Sequence, residues 1–67
     1  MSVKQLAISE LNTKITNREY QLDMLKLAIG KERIGSELLF SFRRLFQDVE
    51  TDIVELKDQI EDVKRYR

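Results

Sequence analysis

The sequence predicts an all-α protein, an antiparallel two-helix hairpin that dimerises into a four-helix bundle. Proline is absent and glycine occurs only at Gly30 and Gly35, so nearly the whole chain can be helical. An apolar seam with alternating gaps of three and four residues runs through each half of the chain. The 67 residues include neither Cys nor His, which leaves self-association to stabilise so small a core.

The first helix is predicted to run from about residue 3 to residue 33. Ser2 and Gln5 form a capping-box pattern at its start. Gly30 either lies inside this helix at a cost of about 1 kcal/mol or ends it early. We expect the longer helix, because the three residues that follow Gly30 favour helix formation.

A hinge is predicted over residues 34–36. Gly35 tolerates the left-handed conformation at a helix end, and the Ser36 hydroxyl can cap the next helix. That second helix is predicted from about residue 37 to residue 66. Both helices are then roughly 45 Å long, and the matched lengths favour a hairpin.

Folding back at the hinge pairs the two seams in antiparallel register, with facing residue numbers that add to about 71. One hairpin leaves much of its seam half exposed, and Leu38 and Leu45 widen the apolar face of the second helix. We therefore expect a homodimer; a heteromeric partner and a tetramer built on the dimer are the alternatives. The predicted dimer core consists of Ile8, Leu11, Ile15, Leu22, Leu25, Ile29, Leu39, Phe42, Phe46, Val49, Ile53, Leu56, Ile60 and Val63.

Arg18 occupies a position where the first seam requires an apolar residue. One interpretation is that its buried guanidinium pairs with Asp52 or Glu50 and fixes the register. The interpretation we favour is that its stem lies along the core while the charged head reaches water.

A second apolar stripe lies on the face of the first helix opposite its seam, and one aromatic residue lies off the seam of the second helix. These residues either pack across the dimer interface or under the hinge, or they form a docking patch for another protein. The candidate partner patch consists of Tyr20, Met24, Leu27 and Phe40.

The twelve basic and twelve acidic side chains cancel, so no overall field attracts nucleic acid or anionic lipid. Basic residues nevertheless gather near the hinge, beside Phe40 and Phe42. Such a cluster is a weak indication of nucleic-acid binding. The candidate nucleic-acid patch consists of Lys31, Arg33, Arg43 and Arg44.

Seven acidic residues fall between Asp48 and Asp62. They lack accompanying His ligands, and the apolar residues between them belong to the core, so we predict a solvated helix face. We expect no enzyme activity, no metal site and no cofactor. The sequence shows neither a signal peptide nor an uncharged run of about 20 residues, so we expect a cytoplasmic protein with no membrane partner.

The two matched helices around Gly35 and Ser36 resemble the Rop-like helical hairpins. The size and the Cys-free composition also resemble a small four-helix-bundle protein of the Sulfolobus spindle-shaped viruses. The resemblance implies a homodimeric bundle with an adaptor role, in the host cytoplasm if the chain is viral. The RNA-binding residues of Rop do not map onto this chain, because Rop uses its first helix and the basic cluster here straddles the hinge.

The sequence thus favours a non-enzymatic adaptor or scaffold that binds macromolecular partners through the outer faces of a dimeric bundle. The alternative is a small Rop-like regulatory protein that binds nucleic acid.

Overall fold

The computed structural model describes residues 2–32 and 35–66, which form two antiparallel helices. Helix α1 spans Val3–Lys31 and helix α2 spans Glu37–Arg65, each with 29 residues. The helices pack along one another, and the Cα atoms extend over 50 × 16 × 11 Å. The predicted all-α hairpin is confirmed.

Helix α1 begins at the predicted capping box. The Ser2 Oγ accepts a hydrogen bond from the Gln5 backbone N–H at 3.1 Å. The Gln5 side chain in turn accepts one from the Ser2 N–H at 3.2 Å. These reciprocal bonds satisfy two of the amide donors that the start of a helix leaves without partners.

Helix α1 ends at Lys31, about two residues before its predicted end, although Gly30 does lie inside the helix. Glu32 has an extended backbone (φ −86°, ψ 150°), and its N–H donates to the Ile29 carbonyl at 3.3 Å. Leaving the helix at Glu32 brings its carboxylate to 3.5 Å from the Ser36 hydroxyl, which donates to it. The turn chemistry therefore outweighs the helix propensity of the last residues.

The turn has the two features that the sequence predicts for it. Gly35 has a φ of +88°, in the region that favours glycine because a Cβ would strain the backbone. Ser36 caps α2, and its Oγ accepts the Leu39 N–H at 3.0 Å. Two residues of the predicted helix end and hinge, Arg33 and Ile34, lie outside the described residues.

The far ends of the helices are tied by Lys4, a contact that the sequence analysis missed. Its Nζ donates to the carbonyl oxygens of Lys64 at 2.8 Å and Tyr66 at 3.0 Å. The last turn of a helix carries unpaired carbonyls and partial negative charge, so an ammonium group there is stabilising. Tyr66 is the C-cap, and α2 ends one residue before its predicted end.

The core is the single layer of side chains between the helices. Every apolar residue of both seams is buried or half-buried within one hairpin, whereas no described side chain is fully buried. Ile15, Ile53 and Ile60 form the centre of this layer. The seam is therefore correctly placed between α1 and α2, and its role as a dimer core stays a prediction. The residues with less than a tenth of their surface exposed are Ile15, Leu39, Ile53 and Ile60.

Candidate interaction surfaces

Arg18 combines the two interpretations that its sequence position allows. Its Nε lies 3.6 Å from Asp52 Oδ2, and the two side chains are 38% and 51% exposed. The guanidinium therefore reaches the surface and pairs there rather than in a dry core. The two residue numbers add to 70, so at this pair the antiparallel alignment of α1 and α2 is within one residue of the predicted sum of 71. Because both charges are solvated, the pair contributes little stability.

The structure brings two of the four members of the candidate partner patch into one groove. Tyr20 and Met24 line a groove between the helices, together with Leu45 of α2. Leu27 lies two turns beyond Tyr20 on α1, and Phe40 lies on α2; neither is among the residues that line this groove. All four candidate residues are exposed on half or more of their surface.

The candidate nucleic-acid patch is solvated where the structure describes it. Lys31, Arg43 and Arg44 are exposed near the turn end of the hairpin. Neither of the two ion pairs found among residues 2–32 and 35–66 involves them. Arg33, the fourth member of the patch, lies outside the described residues.

The acidic residues of α2 are all exposed, from Asp48 to Asp62. Within the described part of the chain, no three His, Cys, Asp or Glu side chains come together as a group that could hold a metal ion. Neither helix, over the residues described, has the length and apolarity needed to cross a membrane.

One long side of the hairpin is a shallow channel that both helices line, and we call it the flank face. Three grooves follow one another along it, from the chain ends, past Arg18, to the turn end. The grooves at the two ends are mainly apolar, and the central groove is charged. Each groove is lined by members of two rows spaced by seven residues: Ala7, Lys14, Gln21 and Ala28 on α1, and Leu45, Asp52, Gln59 and Tyr66 on α2.

The opposite long side, which we call the polar face, has a different character. One groove on this side is lined by Gln5, Ile8 and Asn12 of α1. Another is lined by Glu19, Glu50, Val54 and Lys57. The rows spaced by seven residues on this side carry only polar and charged side chains, all of them exposed. They are Gln5, Asn12, Glu19 and Lys26 on α1, and Arg43, Glu50, Lys57 and Lys64 on α2.

Comparison with known proteins finds no relative for this two-helix chain. No protein-family model, no curated protein and no solved structure matches it. The resemblance to Rop-like hairpins and to the viral bundle protein therefore rests on architecture and composition alone. Membership of either group stays a prediction.

Proposed function

We propose that this chain is a non-enzymatic scaffold that pairs with a second copy into a four-helix bundle and binds protein partners through the outer faces of that bundle. Its proposed location is the cytoplasm. The resemblance to Rop-like hairpins agrees with such an assembly, and the proposal does not depend on it.

The observation that carries the proposal is how much apolar surface one hairpin leaves in water. Ten large hydrophobic side chains among the described residues are exposed on half or more of their surface, against four that are buried. The accessible surface of the chain is 5682 Å². A compact monomer of 8.0 kDa exposes about 4,450 Å² by the usual scaling of surface with mass.

The excess of about 1,200 Å² is larger than the roughly 800 Å² that each partner contributes to a standard protein interface. The hairpin therefore has enough accessible surface for a second copy of the chain and for a further partner. Leu27 supports the second role, because it is 60% exposed on α1 and lines none of the three grooves of the flank face.

The adaptor role is tested by affinity capture from nuclease-treated cell extract with three tagged proteins. The wild-type chain is compared with a Leu27→Ser variant and with a control variant, Asn12→Ser, that changes an exposed polar residue of α1. We expect discrete proteins that bind the wild type and the control and that the Leu27→Ser variant loses. A set of bound proteins that is the same for all three would contradict docking through Leu27.

Nucleic-acid binding, the alternative function, is tested with the same protein. If RNA or DNA binds with an affinity that falls steeply as salt is raised, phosphate contacts dominate the interaction. An Arg43→Gln, Arg44→Gln variant then reduces that dependence on salt, and the regulatory alternative replaces the scaffold proposal. We expect neither effect, because the chain has no net charge and α2 is acidic beyond these two arginines.

A further inference from the structure

We propose that the second copy docks on the flank face with the two turn ends side by side, so that α1 of each copy lies across α2 of the other. This inference rests on the proposed pairing and adds which face is covered and in which orientation. The two-fold axis then runs along the length of the hairpin. The alternative axis runs across the hairpin and places the turn ends at opposite ends of the bundle.

The contrast between the two long sides of the hairpin selects the face. Ala7, Ala28, Leu45 and Tyr66 lie in the rows of the flank face, near its two ends. The corresponding rows of the polar face are polar or charged at all eight positions. Small residues such as the two alanines also let a neighbouring helix approach closely. The flank face is therefore the better suited of the two to extend the core into a second layer.

The size of the flank face suits a copy of the same hairpin. In the plane of the two helices the Cα atoms span 50 by 16 Å, so two such faces of identical outline can cover one another along the whole hairpin. An identical hairpin presents a matching surface of the same length, with apolar ends and a charged centre, and a two-fold interface requires such self-complementarity.

The distribution of charge on the flank face selects the orientation. The charged side chains that line its grooves are all basic on α1 and all acidic on α2. They are Lys4, Lys14 and Arg18 on α1, and Asp52, Glu55 and Asp62 on α2. When α1 lies across the partner's α2, basic residues meet acidic residues of the other copy. The alternative axis places each helix against its own counterpart, where like charges repel.

The choice of face is tested by a matched pair of substitutions. Leu45 on the flank face and Val54 on the polar face are 50% and 59% exposed, so neither belongs to the buried core, and circular dichroism first establishes that each Asp variant stays helical. We expect Leu45→Asp to raise the dimer dissociation constant about tenfold or more, because docking buries an unpaired carboxylate. Val54→Asp is expected to leave it nearly unchanged. Equal effects, or a larger effect of Val54→Asp, would overturn the choice of face.

The orientation is tested by electron–electron double resonance between nitroxide labels, one on each copy. The chain has no Cys, so Glu37→Cys and Thr51→Cys each give a single labelling site. The two positions lie fourteen residues apart, four turns along the exposed side of α2. Thr51 lies near mid-length, beside Asp52, and Glu37 lies at the turn end.

In the proposed orientation each label lies level with its counterpart, and both sites give distances below about 30 Å, set by the bundle width. With the two-fold axis across the hairpin, the Glu37 labels are separated by about 45 Å along the bundle. A long distance at Glu37 with a short one at Thr51 would overturn the orientation and leave the dimer intact. No coupling at either site would overturn the pairing itself. The labels lie on the exposed side of α2 and are attached to a chain that keeps Leu45. The distances therefore test the orientation independently of the Leu45→Asp experiment.

Discussion

Replacing Ile53 by Ala is the sharpest perturbation of the layer between the helices. Ile53 is 8% exposed and belongs to the buried cluster with Ile15 and Ile60, whereas the adjacent Val54 is 59% exposed. Both are β-branched residues in the same turn of α2, so both gain about 0.5 kcal/mol of helix propensity on conversion to Ala. The difference between the two variants therefore isolates burial.

The expected magnitude follows from the carbons removed. Ile53→Ala deletes three nearly fully buried carbons, worth about 2.4 kcal/mol at roughly 0.8 kcal/mol each. A small cavity penalty and the gain in propensity nearly cancel, so we expect a loss of about 2–3 kcal/mol per protomer. Val54→Ala deletes two carbons that are less than half buried, worth about 0.6 kcal/mol, and the propensity gain offsets this to near zero.

The measurement is urea unfolding followed by circular dichroism, with all proteins at the same protomer concentration. An Ile53→Ala loss below about 1 kcal/mol, or an equal loss in Val54→Ala, would refute the placement of the seam.

Three further predictions concern the local features of the hairpin, each measured by the same unfolding assay. Arg18→Leu is expected to leave stability unchanged or to raise it slightly, because the half-exposed Asp52 carboxylate stays solvated without its partner. A loss of about 3 kcal/mol would instead mean that Arg18 belongs to a buried polar network whose partners it must satisfy. Gly30→Ala is expected to stabilise the folded chain by about 0.5–1 kcal/mol, since a Cβ at this helical position meets no atom within 4 Å. Gly35→Ala is expected to destabilise it, because Gly35 has a positive φ. A change of stability with the same sign in both variants would contradict the turn. Ser36→Ala costs about 1 kcal/mol through loss of the α2 cap, and no measurable loss would show that the cap is not formed.

The hairpin could be predicted from the sequence because its determinants are local. The spacing of Ile53, Leu56 and Ile60 indicates which side of α2 is apolar. Gly35 and Ser36 indicate where the chain reverses. The unusual position of Arg18 was also visible in the pattern, together with Asp52 as a partner. Whether that pair would be buried or solvated was not visible, because the answer depends on where Asp52 lies relative to the plane of the two helices.

The flank face could not be predicted from either helix alone. The row of Ala7 and Ala28 and the row of Leu45 and Tyr66 are each readable as residues spaced by multiples of seven. Each row lies one residue before a row of seam residues, Ile8 on α1 and Phe46 on α2, and antiparallel packing of the two seams places such rows on the same side. The flank face therefore follows only when both helices and their antiparallel pairing are considered together. The bond from Lys4 to the last carbonyls of α2 was missed because it joins residues sixty positions apart, which no local pattern reveals.

The central claim, that two hairpins close one bundle, is tested most directly by sedimentation equilibrium of the unmodified chain. Over protein concentrations of about 1–100 μM we expect the mass to reach twice 8.0 kDa at the upper end. In thermal unfolding of the same samples, the midpoint is expected to rise with concentration, because only association makes stability depend on concentration. A mass of 8.0 kDa throughout this range, with cooperative unfolding at a constant midpoint, would contradict the claim.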